Sequence, residues 1–231
     1  MTRGILIAGN ESSLYSAAGA EVLRRVESYA SASIPNRFNI QETANAPSAS
    51  MEEREGASSG AIQLAWNTAS PISARTLILA AENRLKQIND AILICLPPAV
   101  YKAAENLLPE EIEILLNDHI KGWFFLIREL SKYFHRSGSG SLSFVVPEPS
   151  TGGGKNSQID ILGPAAIASF RALAQGIITS SANEPFRVMG FTGYEAGTES
   201  EFTAWFTKII DDGSKRNSGR WHRYSKIGFF R

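Results

Sequence analysis

Two kinds of apolar segment alternate along this chain, and their alternation predicts a mixed α/β architecture. Short uncharged runs at Ile5 to Ala8, Ala91 to Leu96 and Leu142 to Val146 have the composition of strands buried on both faces. Ala61 to Trp66 and Phe186 to Phe191 read as two more strands, and Ser33 to Gln41, where Phe38 and Ile40 alternate with polar neighbours, as another. Between them apolar residues recur at helical spacing. Val22, Val26 and Tyr29 line a first helix that ends near Tyr29, and Leu77, Ala81, Leu85 and Ile88 follow the helix start Ser70-Pro71. A last helix carries Phe202, Trp205, Phe206, Ile209 and Ile210 behind the capping box Thr198-Glu199-Ser200-Glu201 and stops at Gly213. Strands alternating with helices, and no internal repeat, predict a doubly wound parallel sheet with helices on both faces, in a single domain over 1–231.

Two helices carry more apolar surface than one sheet can cover. The longer runs from Pro109 to about His135, amphipathic through Ile112, Leu115, Leu116, Ile120 and Trp123, then apolar all round from Trp123 to Ile127. The other, Gly163 to Thr179, is dense in alanine (Ala165, Ala166, Ala168, Ala172, Ala174), which lets a second helix approach closely. Charges placed at Trp123 or Ala168 are therefore expected to break an assembly. The segment 42–60 reads as a surface excursion and Pro147 to Gln158 as a Gly- and Pro-rich loop. The tail 214–231 is basic and aromatic without a period, as expected of a segment that packs on a partner subunit.

Bulk composition narrows the function classes. With 23 basic and 23 acidic residues the chain has no net field to draw it to nucleic acid, and a near-zero net charge favours a permanent protein partner. The single Cys95 excludes a disulfide framework, and one thiol with three scattered histidines builds no metal cluster. No apolar run reaches the roughly 18 residues of a membrane helix. The chain enters its first strand without a cationic leader, so a cytoplasmic location is expected.

The first strand runs into Gly9-Asn10-Glu11-Ser12-Ser13-Leu14-Tyr15, the place where a doubly wound, Rossmann-like domain normally holds a dinucleotide pyrophosphate against a helix N-terminus. Only the first glycine of such a turn is present. Ser13 and Tyr15 stand where backbone must come close to phosphate, and the tyrosine ring would fill that space. The expectation is a nucleotide-binding fold without its nucleotide site.

Other residues invite a chemical reading and have a duller one beside it. Cys95 could be a nucleophile, but it ends a buried strand as a small core residue would. His119 could act as an acid or base, or be a helix residue at an interface. Gly152-Gly153-Gly154-Lys155 fails the phosphate-loop pattern, with Pro149 and Asn156 at its defining positions. Glu110, Glu111 and Glu113 complement a helix dipole. Arg220-Trp221-His222-Arg223-Tyr224 could stack on nucleic acid or pack on a protein, and Trp205 and Phe206 read as core.

The element order and length, the strand entry Asn89-Asp90-Ala91-Ile92-Leu93-Ile94, Lys121-Gly122-Trp123-Phe124 in the long helix and Gly140-Ser141-Leu142-Ser143-Phe144-Val145-Val146 together resemble the short-chain dehydrogenase/reductase family, over Gly4 to about Thr192. That resemblance implies hydride transfer to NAD or NADP, with a tyrosine as acid/base, a lysine four residues on, a serine and an asparagine. Laid on this sequence, the tyrosine position is Asp160, the lysine position Pro164 and the serine position Pro147, while the asparagine falls near His119. No tyrosine lies between Tyr133 and Tyr194, and none is followed by lysine four residues later. The polar stretch beside the cofactor becomes Ile94-Cys95-Leu96-Pro97. The resemblance thus implies no catalytic, cofactor-binding or metal-binding residue in this chain. NAD and chemistry would then belong to an intact homologous partner, in a heterotetramer built on Leu116 to Leu130 and Gly163 to Ile178, with the tail closing the partner's pocket. More narrowly, the chain resembles the cofactor-less subunits of dehydrogenases that oxidise 2-[hydroxy(phenyl)methyl]succinyl-CoA to benzoylsuccinyl-CoA in anaerobic toluene breakdown. The competing expectation is an independent enzyme or binding protein with a repurposed pocket that uses Asp160 or His119.

Overall fold

Each apolar run becomes a strand because it can be covered on both sides at once. In the computed structural model, which describes residues 3–38, 60–148 and 160–225, Ile5–Asn10 forms β1 with all six residues buried. Ser13–Leu23 (α1), Tyr29–Ile34 (β2), Ala61–Gln63 (β3), Pro71–Leu85 (α2) and Asp90–Ile94 (β4) follow. Pro109–Leu116 (α3) continues through a π turn at Asn117–Lys121 into Gly122–Ser137 (α4), and Ser141–Val145 (β5), Leu162–Ser180 (α5), Arg187–Thr192 (β6), Glu199–Asp211 (α6) and Arg220–Arg223 (β7) complete the domain. The strands form one sheet in the order β3-β2-β1-β4-β5-β6-β7, every described pairing parallel.

Alternate residues of each central strand feed two cores. Leu6, Ala8, Ala91, Leu93, Leu142 and Phe144 pack under α2, α4 and α5, against Leu77, Trp123, Leu126 and Phe170. Ile5, Ile7, Ile92, Ile94, Val145 and Phe191 pack under α1 and α6, against Leu14, Val22, Phe202 and Phe206. A strand apolar at every position is the cost of having no solvent face.

Several boundaries differ from the sequence reading. The first helix stops at Leu23, capped by the Arg24 N–H on Glu21 and Val22 carbonyls, and Tyr29 opens the second strand instead of closing the helix. That strand, Tyr29-Ala-Ser-Ala-Ser-Ile, has few large residues because it lies against β1, and the Tyr29 hydroxyl sits where a Cβ on Gly19 would stand. Phe38 lies beyond the strand, and Ile40 and Gln41 fall outside the described residues, as do 42–59 and 149–159. The expected capping box is also realised differently: the Thr198 hydroxyl donates to the Glu195 carbonyl (2.7 Å) and makes no cap bond to α6.

Position in the sheet also recasts the tail. Arg220–Arg223, read as aperiodic, adds a seventh strand parallel to β6, with Trp221 against Gly190 and His222 stacked on Phe191 at 5.4 Å. At the opposite end of the strands, where they begin, the buried Asp90 carboxylate accepts from Arg3 Nε (2.6 Å) and from the Ser141 hydroxyl. Arg187 approaches it at 3.7 Å while donating from both terminal nitrogens to the Ile210 carbonyl. This cluster ties β4, β5, β6 and α6 together.

Candidate functional site

The strand order reverses between β1 and β4, and in an open parallel sheet ligands bind in the crevice beyond the carboxyl ends of such a pair. Here the crevice is stitched by Asn10, the last residue of β1. Its side-chain carbonyl accepts from the Leu96 N–H (3.0 Å), and its amide nitrogen lies 3.2 Å from Nδ1 of His119. An amide N–H can only donate, so Nδ1 accepts and the imidazole carries its proton on Nε2.

His119 belongs to the π turn, whose extra residue is marked by the bond from Gly122 N–H to the Asn117 carbonyl. It was expected as a helix residue at an interface, but it is 1 % exposed and turned into the molecule. Phe38 stacks on it, with ring centroids 5.9 Å apart and planes 11° off parallel. The adjoining Asp118 is fully buried, accepts from the Thr68 hydroxyl and pairs with Arg37 Nε at 3.5 Å. Asn10, Arg37 and Asp118 were not singled out in the sequence, and Phe38 was read only as a strand residue. The one signal was a polar residue, Asn10, ending an otherwise apolar strand.

Burial holds the His119 imidazole neutral, its pKa lowered to about 4, with Arg37 adding to the shift and Asp118 opposing it. A base whose folded pKa lies below its unfolded value contributes stability above pH 6.5 that is lost as pH falls towards 4. That interval corresponds to about 3 kcal/mol. In urea unfolding, this loss is expected in the wild-type chain between pH 7 and 4 and is expected to shrink in His119→Gln. An equal loss in both would assign the acid sensitivity to other groups.

At the start of α1, Ser12 caps the helix by accepting from Tyr15 N (3.2 Å). The Tyr15 ring folds over the turn: its Cδ2 lies 3.0 Å from the position a Cβ on Gly9 would take. Burial pushes its phenol up from the ordinary tyrosine value. Two carboxylates flank the same turn. Glu11 accepts from the Ser33 hydroxyl (2.9 Å), and Glu199 accepts from Tyr194 (2.8 Å), from Ser13 (3.0 Å) and from Gly197 N (3.2 Å). These bonds, that from Tyr194 first, hold the Glu199 carboxyl down at about 2.

The other sequence-selected positions lie at the start of α5 and the end of β5. Asp160 forms an antiparallel bridge with Tyr101, and its Oδ1 accepts from Gly163 N (3.0 Å), which makes it a cap for α5. Pro164 occupies the first turn of that helix, where its missing N–H costs nothing, and Pro147 is buried beyond β5. Among the described residues no hydrogen bond or ion pair joins Asp160 to His119. Cys95 is fully buried and burial pushes its thiol up. Glu111 accepts from Leu108 N (2.9 Å) and from Lys102 (2.6 Å) and so caps α3. Gly152 to Lys155 lie outside the described residues. Among the described residues no group of three or more His, Cys, Asp or Glu could hold a metal ion, and no helix is long and apolar enough to cross a membrane.

The outer surface of the α3–α5 region carries exposed apolar residues among its charged ones. Ile112, Leu116 and Phe124 are 42 %, 38 % and 51 % exposed, and Ala165, Ala168 and Ala172 stand exposed on α5. Trp123, expected on this face, is instead fully buried between Trp66 and Phe170, because the π turn rotates α4 and brings Phe124 outwards in its place.

No family model matches the sequence, and no curated protein does. The fold, by contrast, is widely shared. A short chain dehydrogenase from Mycobacterium smegmatis superposes with a TM-score of 0.72 at 12 % identity, over 98 % of this chain and 94 % of that one. A short-chain type dehydrogenase/reductase from Mycobacterium marinum gives 0.73 at 14 %, over 96 % and 92 %. A short chain dehydrogenase from Bacillus anthracis gives 0.71 at 13 %, over 99 % and 98 %. The seven-stranded parallel sheet of this chain, with its helices on both faces, is therefore the Rossmann-like fold of the short-chain dehydrogenases/reductases.

Proposed function

We propose that this chain is the non-catalytic subunit of a heteromeric, NAD-dependent short-chain dehydrogenase whose cofactor and chemistry reside in an intact homologous partner. The observation that carries the reading is the Tyr15 ring lying against Gly9. A pyrophosphate needs open backbone N–H groups and positive potential at a helix N-terminus. This turn offers an aromatic ring, with the carboxylates of Glu11 and Glu199 on either side. These residues do not fit a dinucleotide.

The acid/base positions support the same reading. Asp160 is spent on capping α5, Pro164 has no titratable group, and His119 is enclosed by Asn10 and Phe38. The repurposed-pocket alternative relies on Asp160 or His119, and both are already engaged. A substrate needs a general acid within reach of its oxygen, and neither residue presents one to a bound molecule.

What the chain retains is surface. Phe124, Ile112 and Leu116 stand beside the small-residue stripe of α5, a pairing that suits close packing of helices from a second subunit. The four-helix interface that the resemblance implies gives a heterotetramer of two intact and two silent subunits. For the substrate, the narrower resemblance supports oxidation of 2-[hydroxy(phenyl)methyl]succinyl-CoA to benzoylsuccinyl-CoA by the partner, in the cytoplasm, as part of anaerobic toluene breakdown.

The test is isolation of the tagged chain from its native cell. An intact short-chain dehydrogenase is expected to co-purify at one-to-one stoichiometry, and the complex to reduce NAD with that thioester. The isolated chain is expected to bind no NAD at millimolar concentration. Ala168→Glu is expected to abolish co-purification while changing stability by less than about 0.5 kcal/mol, as exposed substitutions do. A chain that stays monomeric in its own cell, or that binds NAD alone, overturns the proposal.

A further inference from the structure

A second concavity lies far from the crevice, at the edge of the sheet where the strands begin. It has a volume of about 710 Å³ and is bounded by the chain before β5, by the turn from α5 to β6 and by the segment leading into β7. Cavities of roughly 300–1,000 Å³ are the size that holds small organic ligands. The dehydrogenase-like reading assigns it no ligand.

The walls have a consistent chemistry. Ile178 and Phe186 give an apolar floor, 3 % and 4 % exposed, and the indole of Trp221 stands beside them. That indole is fixed: its N–H donates to Gln175 Oε1 (2.7 Å), and the Arg171 guanidinium lies 5.3 Å from its centroid. Lys215 and Arg220 flank the opening, and neither has a side-chain partner among the described residues. The one carboxylate in the lining, Glu184, lies 2.9 Å from His135 Nε2. Carbonyls ending α5 would repel an anion, but the Ser180 and Ser181 hydroxyls already donate to those of Ile177 and Ile178.

We propose that this groove binds small amphipathic carboxylates, with the apolar body on Phe186 and Trp221 and the carboxylate between Lys215 and Arg220. Two cations without a side-chain partner among the described residues, over an apolar floor, leave a neutral molecule without its charge partner and an inorganic anion without its apolar contact. Gln175 and Ile178 belong to α5 and Lys215, Arg220 and Trp221 to the tail, segments that the partner-subunit reading also uses, but the binding is read on the chain alone, so the two readings fail separately.

The experiment is calorimetric titration of the full chain with 4-phenylbutyrate, with 4-phenylbutyramide and with inorganic phosphate. The acid is expected to bind one to one. The amide should be weaker by about tenfold or more, the value of one charge-assisted hydrogen bond, and phosphate should give no saturable heat. Lys215→Glu combined with Arg220→Glu should weaken the acid by at least about tenfold. Both residues are exposed, so an unchanged melting temperature verifies the fold. In an NMR titration the Trp221 indole N–H should shift, out of the four tryptophans present. Equal affinity for acid and amide, undiminished binding by the double variant, or shifts confined to Trp66, Trp123 and Trp205 would each overturn the assignment. So would no saturation by the acid up to about 10 mM, a binding free energy near 3 kcal/mol.

Discussion

Trp123→Ala is expected to lower the unfolding free energy by about 4 kcal/mol, towards the upper end of large-to-small core changes. The residue is fully buried, with its ring 5.5 Å from Trp66 and 4.7 Å from Phe170, both edge-on. Deleting it removes the transfer free energy of an indole and leaves a cavity bounded by two rings that cannot both collapse inwards. Urea unfolding measures the loss. The same position carried a different expectation from sequence, as an interface residue whose change would dissociate subunits. The two accounts separate cleanly. Changing a core residue loses stability in the isolated chain, whereas changing a residue of the proposed interface, such as Ala168, is expected to lose partner binding with the chain's own stability intact. A Trp123→Ala chain as stable as wild type would contradict its placement in the core.

Asp90→Ala is expected to cost a similar amount, about 3–5 kcal/mol, because it strands cations rather than merely deleting a contact. The Asp90 side chain is 4 % exposed, and Arg187 beside it is 17 % exposed, so water cannot replace the carboxylate freely. The Ser141 hydroxyl loses its acceptor at the same time. Asp90→Asn keeps that acceptor and should recover part of the loss. Comparison of the two variants by urea unfolding distinguishes the charge from the hydrogen bond. A cost below about 1 kcal/mol for alanine would mean that the pairing only balances its own desolvation.

Central elements were legible from sequence because their environment is uniform. A strand with a sheet neighbour on each side and helices above and below must be mostly apolar, as β1, β4 and β5 are between their polar ends at Asn10, Asp90 and Ser141. Edge and near-edge strands lack that constraint. β2 is built of Tyr, Ala and Ser, and β7 of Arg, Trp, His and Arg, and neither composition has a period to read. Both are strands because the backbone of β1 or β6 offers its unpaired hydrogen-bonding edge.

The candidate site divides in the same way. That Ser13 and Tyr15 follow Gly9, and that Asp160 and Pro164 stand at the positions the family resemblance singles out, are matters of residue identity and could be counted along the chain. What occupies the crevice could not. Phe38 over His119 and Asn10 between β1 and the π turn involve partners 81 and 109 residues apart, brought together by the sheet order alone.

The sequence by itself determined the doubly wound α/β architecture and the residue types available at the candidate positions, because burial and side-chain chemistry are written residue by residue. Tertiary structure decided where those residues face. It rotated α4 so that Trp123 is core and Phe124 surface, turned His119 inwards and spent Asp160 on a helix cap. The physical reason is that one inserted residue in a helical turn, or one strand added at an edge, changes which side chains meet without changing the local pattern that a sequence displays.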